Sequence, residues 1–180
     1  NDVAQDAYTD LEFLMKESQF DFHLLEAANA AGTVWKVAVI EQGKSYNKTV
    51  YTQESLADMQ RIINEAQAAG APIKCNAFKL ENTLNHLPDK ARDFMKGFVE
   101  NIVGWFKNAE IKGKQLVAEL HLDEGAEKVR SLLMTAMKKG IAYPFGLSID
   151  GDAGDNGVVK VFDGKEEVKE IRRVESLNSI

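Results

Sequence analysis

The sequence predicts an α+β fold of short strands and a few solid helices. Leu116, Ala118, Leu120 and Leu122 recur at every second position, with polar Gln115, Glu119 and His121 on the other face, the two-residue period of a half-buried strand. Between Thr52 and Gly70, Leu56, Met59, Ile62, Ile63 and Ala66 recur at helical spacing, bounded by a capping residue and a stop. Strand-like and helix-like stretches then follow one another without an internal repeat or a dividing linker, which favours one domain with both element types.

In chain order, residues 1–31 favour helix. Leu11, Leu14 and Met15 share one face, and Leu24, Ala27 and Ala28 repeat the pattern. Residues 1–32 are therefore read as an N-terminal helical segment and 33–180 as the main domain. Val34 to Ile40 is rich in β-branched and aromatic residues and reads as a strand. Gln42 to Asn47 is a loop. Thr52 opens the first firm helix, at about 53–69, with Glu54 in its first turn. Pro72 to Phe78 is a short strand. Residues 79–96 are polar and irregular, and 98–111 are mixed apolar around Val103-Gly104-Trp105-Phe106. Lys112-Gly113-Lys114 turns the chain into the alternating strand.

Asp123 is the expected cap of a second helix, at about 124–139. Leu132, Leu133, Ala136 and Met137 lie on its apolar side, and Lys138, Lys139 and Gly140 lie at its end. Pro144 to Asp150 reads as a strand with Phe145, Leu147 and Ile149 inward. Residues 152–157 read as a hairpin-type loop, strand resumes to Phe162, and Glu166 to Ile180 is a final strand. The expected total is six or seven strands.

Composition narrows the function classes. The 180 residues are 44% hydrophobic and 28% charged, enough to bury a core and unlike a disordered chain. Twenty-two Lys and Arg against 28 Asp and Glu give a net charge of −6, which argues against nucleic-acid binding as the main role. No apolar run approaches the ~20 residues of a membrane span. Cys75 is the only cysteine, so no internal disulfide forms and a reducing compartment is expected. A start at Asn1 without a basic and apolar leader reads as a trimmed product or a fragment.

Candidate chemistry is sparse. Alternation puts Gly146, Ser148 and Asp150 opposite Phe145, Leu147 and Ile149, so Ser148 has a side-chain-free neighbour where a substrate backbone can approach. His86 lies in a polar stretch, where a partly exposed imidazole titrates near neutrality and suits general-base work. His121 lies beside Glu119 on the polar face of its strand, and His23 reads as packing or helix surface. Cys75 reads as an inert buried thiol. There is no CxxC, HExxH or close His pair, and Asp150 to Val161 lacks the glycine and the final glutamate of a calcium loop. No metal, Walker loop or dinucleotide cofactor is expected.

Taken in order, these pieces resemble a known family. Trp35-Lys36-Val37 with Ile40 comes first, followed by Gly43, Ser45, Asn47 and Tyr51, then the helix near Glu54, His86 and Gly104-Trp105-Phe106. After the strand into Asp123 come Gly140, Phe145-Gly146-Leu147-Ser148-Ile149 and Val174-Glu175-Ser176-Leu177. Over residues 33–180 this order resembles the prohead (head maturation) proteases of tailed bacteriophages, similar in fold to herpesvirus assemblin.

The resemblance implies a compact, mainly antiparallel β-barrel surrounded by helices, working as a serine endopeptidase. Ser148 matches the family nucleophile and His86 the upstream base. The herpesvirus branch has a second histidine after the serine. None follows Ser148 here, and Glu175 is the acid at that place. His121 and Asp150 are the next candidates. In such a site the imidazole takes the serine proton and the third group fixes its tautomer. The implied substrates are the viral scaffold and major capsid proteins and the protease itself, with self-association of copies. The implied place of action is the assembling procapsid in the host bacterial cytoplasm, with no membrane and no nucleic-acid partner. The alternative is a non-catalytic scaffold or capsid-associated interaction domain.

Overall fold

The β-branched run after Thr33 and the alternating run before Asp123 form the frame on which the rest is hung. The computed structural model describes residues 20–21, 23–41, 43–44, 49–76, 102–144, 146–147 and 149–180. In chain order these form β1 (Phe20–Asp21), β2 (His23–Ala27), β3 (Val34–Glu41), β4 (Gly43–Lys44), β5 (Thr49–Tyr51), α1 (Gln53–Ala68) and β6 (Ile73–Asn76). There follow β7 (Ile102–Lys112), β8 (Gln115–Leu122), α2 (Glu127–Lys138), β9 (Gly146–Leu147), β10 (Asp150–Asp152), β11 (Val158–Asp163), β12 (Glu166–Ile171) and β13 (Ser176–Ser179). The described residues thus hold thirteen strand segments, more than expected, because several are only two to four residues long.

Seven strands form one sheet in the order β10-β13-β6-β7-β8-β3-β2. Its pairs are antiparallel except β13 with β6. Four more form a second sheet, β11-β12-β5-β4, in which β12 and β5 are parallel. β1 and β9 make a separate antiparallel pair. The class is α+β as expected, but among the described residues no ladder closes either sheet into a barrel. The backbone at one edge is already engaged: on β2, Leu24 N–H donates to Ala142 O at 2.8 Å.

The core lies on one face of the large sheet. Register places Trp35 opposite Leu120, and Leu120 opposite Phe106. All three are almost wholly buried, with Leu56, Met59 and Ile63 of α1 in the same cluster. The indole N–H of Trp35 is satisfied by Gly32 O at 2.7 Å.

α1 starts as its sequence predicts. Thr52 Oγ1 accepts the Ser55 N–H at 3.3 Å, and Gly70 ends the helix at φ +76°. α2 does not. Asp123 N–H still donates to Val103 O of the sheet, and its carboxylate accepts Gly125 N–H at 2.8 Å, so it closes a turn instead of capping the helix. α2 begins after Ala126 without a side-chain cap.

Three further expectations are corrected. His23–Ala27 is a strand, not helix, because its backbone completes the edge of β3 while Leu24 enters the core. The rest of the expected N-terminal helix, residues 1–19, lies outside the described residues. The loop at 152–157 is no hairpin: it carries the chain from the seven-stranded sheet to the four-stranded one. The final segment is two strands, broken over 172–175. The break follows from a buried carboxylate. Asp58 on α1 accepts Arg173 Nε at 2.8 Å, Arg173 Nη2 at 3.0 Å and Val174 N–H at 2.9 Å. Arg173 is thereby turned to α1 and does not share a strand face with Glu175.

Candidate functional site

Of the three residues expected to carry chemistry, Ser148 and His86 lie outside the described residues. Their surroundings in the chain are described. Ser148 falls between β9 and β10, and β10 is built into the large sheet by pairing Asp150 with Ser179 and Asp152 with Ser176. β6, which leads toward His86, lies on the other side of β13: Ile180 N–H donates to Lys74 O at 2.9 Å, and Asn76 N–H to Ile180 O at 3.2 Å. β13 therefore stands between the strands that flank the two stretches in question.

Glu175 immediately precedes β13. Its N–H donates to Asp152 O at 2.8 Å, and its side chain is exposed and lies against Gly154. Gly154 has φ +71°, and a Cβ there would meet the Glu175 carboxylate, so a glycine suits this position twice over. Glu175 thus stands at the Asp152 end of β10, and the chain enters β10 from Ser148 at the Asp150 end. The Asp58–Arg173 clasp fixes the backbone just before it. Hydrogen bonds from Arg173 hold the Asp58 carboxyl below its usual value, against the opposing pull of burial.

The described residues also hold a carboxylate-bound imidazole. His121 Nε2 lies 2.9 Å from Glu119 Oε2, which also accepts Asn108 Nδ2 at 3.0 Å. Burial opposes ionisation of Glu119, but the bonds from Asn108 and His121 outweigh it and the carboxyl sits below its ordinary value. A carboxylate in that position orients the ring. An open cleft of about 630 Å³ reaches Glu119 and is lined also by Lys36, Asn64, Gln67 and Asn108.

Sequence reasoning placed His121 beside Glu119 but missed the amides around them. Asn64 exchanges two 2.9 Å bonds with the backbone of Ala109, and Gln67 accepts Asn108 N–H at 2.8 Å. These side chains clamp a bulge in β7 where Asn108 has φ +52°. The signal was there: polar Lys107-Asn108 interrupts the apolar alternation of Phe106 and Ala109, and Asn64 and Gln67 are polar at i, i+3 on α1.

Cys75 is buried, and burial pushes its thiol up to about 12, so it is no thiolate nucleophile at neutral pH. His23 Nδ1 lies 3.3 Å from Glu41 Oε1, and its ring stacks on Tyr143 with centroids 4.5 Å apart. Among the described residues no group of three or more His, Cys, Asp or Glu is arranged to hold a metal ion.

The chain shares its fold with the capsid assembly protease of bacteriophage T4. The likeness covers 90% of this chain and 91% of that one, with a TM-score of 0.53 at 12% identity. No family model matches the sequence. No curated protein matches it either.

Proposed function

We propose that this chain is a serine endopeptidase of bacteriophage head maturation, related in fold to herpesvirus assemblin. It cleaves the scaffold, the major capsid protein and itself inside the assembling procapsid, within the host bacterial cytoplasm. The observation that carries the reading is the fold shared, over nine-tenths of both chains, with a protein that is a capsid assembly protease. The order of the sequence motifs supports it independently.

In this reading Ser148 attacks the scissile carbonyl and His86 accepts its proton, then returns it to the leaving amine. Glu175 holds the imidazole in the accepting tautomer and stabilises the imidazolium. The Asp58–Arg173 clasp suits a residue that must hold position, since it pins the backbone one to two residues before Glu175.

The test is incubation of the chain with the scaffold protein of its own virus. Discrete fragments are expected, and none with Ser148→Ala or His86→Ala. Glu175→Gln is expected to retain the fold and lose about 10²-fold in rate. An unchanged rate removes Glu175 and passes the position to His121 or Asp150. Scaffold that binds but stays whole with every variant, wild type included, overturns the protease reading in favour of a capsid-associated interaction domain.

A further inference from the structure

The stretch that runs into Ser148 is attached three times within six residues, each time to the same short N-terminal segment. Ala142 O accepts Leu24 N–H at 2.8 Å. The Tyr143 ring stacks on His23, interplanar angle 28°. Gly146 and Leu147 pair with Asp21 and Phe20. Among the described residues β9 has no other strand partner, so β1 is its sole neighbour in a ladder.

The N-terminal segment is itself anchored in the body. β2 pairs with β3, Leu24 is in the core, and Glu41 accepts Gln115 Nε2 at 2.6 Å while lying 3.3 Å from His23 Nδ1. Restraint therefore passes from β3 and β8 through Glu41 and His23 to Tyr143. Pro144 follows, which fixes its own φ and narrows the backbone of Tyr143, so little of that restraint is lost to free rotation. Tyr143 remains 53% exposed, so core packing does not require its place.

We propose that Phe20, Asp21, His23 and Leu24 brace the nucleophile segment, and that His23 and Tyr143 are positioning residues that set Ser148 through the attachments of Ala142, Tyr143, Gly146 and Leu147. The inference rests on the reading of Ser148 as nucleophile and adds how that residue is held. A nucleophile displaced by about 1 Å loses on the order of 10²-fold in rate, so a weak surface stack can matter to chemistry without mattering to folding.

The test uses the full chain carrying Tyr143→Ala, His23→Ala or Tyr143→Phe. The rate of labelling of Ser148 by a fluorophosphonate is measured together with kcat and KM for cleavage of the scaffold protein. Both alanine variants are expected to label at least tenfold more slowly, with kcat lowered and KM and melting temperature unchanged. Tyr143→Phe, which keeps the stack, is expected within twofold of wild type. Alanine variants that label at the wild-type rate overturn the brace, and so does a Tyr143→Phe variant as slow as Tyr143→Ala.

Hydrogen exchange of the peptide covering residues 145–150 provides a readout free of the catalytic reading. Tyr143→Ala is expected to speed it at least tenfold. Wild-type protein that is not labelled at Ser148 sinks the nucleophile assignment. Unchanged exchange sinks the brace, whatever the labelling shows.

Discussion

Asp58 ties α1 to the chain at Arg173 and Val174. It is 7% exposed, sits on α1 and takes three hydrogen bonds from residues more than a hundred positions away. Its carboxyl titrates below the ordinary 3.8 in the folded chain. Its contribution is therefore complete above pH ~3.8 and is lost as pH falls through the lowered folded value. Asp58→Ala is expected to cost about 1–3 kcal/mol at pH 7, because Val174 N–H loses its acceptor, with the lower half favoured since Arg173 is largely exposed. Urea unfolding at pH 7 and again near pH 3 checks this, and the gap from wild type should shrink at the lower pH. Cys75 gives a second residue-scale prediction. With its thiol pushed up to about 12, iodoacetamide at pH 8 should leave the native chain unmodified and alkylate it promptly in urea.

Elements were legible where their period is local. β3, α1 and β8 follow the β-branched run, the apolar stripe and the alternation that predict them. Thr52→Ala should destabilise by about 1 kcal/mol through the lost cap, read from thermal melting. Gly104→Ala is expected to be costlier than its size suggests. A Cβ at Gly104 would lie 2.3 Å from His121 O, which only a shift between β7 and β8 can relieve, at about 1–3 kcal/mol. An unchanged melting temperature would show that this ladder yields freely. β2 was not legible, because Leu24, Ala27 and Ala28 mimic a helical repeat too short to outweigh pairing with β3.

At the scale of the molecule, the arrangement depends on pairings across long stretches of chain. β13 lies between β10 and β6 and carries Leu177 into the core, with Ile180 just after it. Removing residues 175–180 is expected to release β10 and expose that edge of the core, abolishing cooperative thermal unfolding by circular dichroism. A truncated chain that melts as sharply and at the same temperature as the full one would refute that role. The parallel joins of β13 to β6 and β12 to β5 bring together strands far apart in sequence, which no local pattern announces.

The sequence by itself determined the α+β class, the firm helix at about 53–69, the strands at about 34–40 and 116–122 and the lack of an internal disulfide. Each is written in a window of a few residues or in a simple count. The order of its motifs also nominated Ser148, His86 and Glu175, and of these the described residues place only Glu175, at the head of β13. Tertiary structure alone decided that 23–27 is an edge strand, that β10 and β11 belong to different sheets and that the last segment breaks at 172–175. Those outcomes turn on which distant partner satisfies a backbone edge or a buried carboxylate, as Asp58 and Arg173 do across 115 positions of chain. A one-dimensional pattern records what a residue prefers locally, and the fold selects among those preferences by burial and hydrogen bonding.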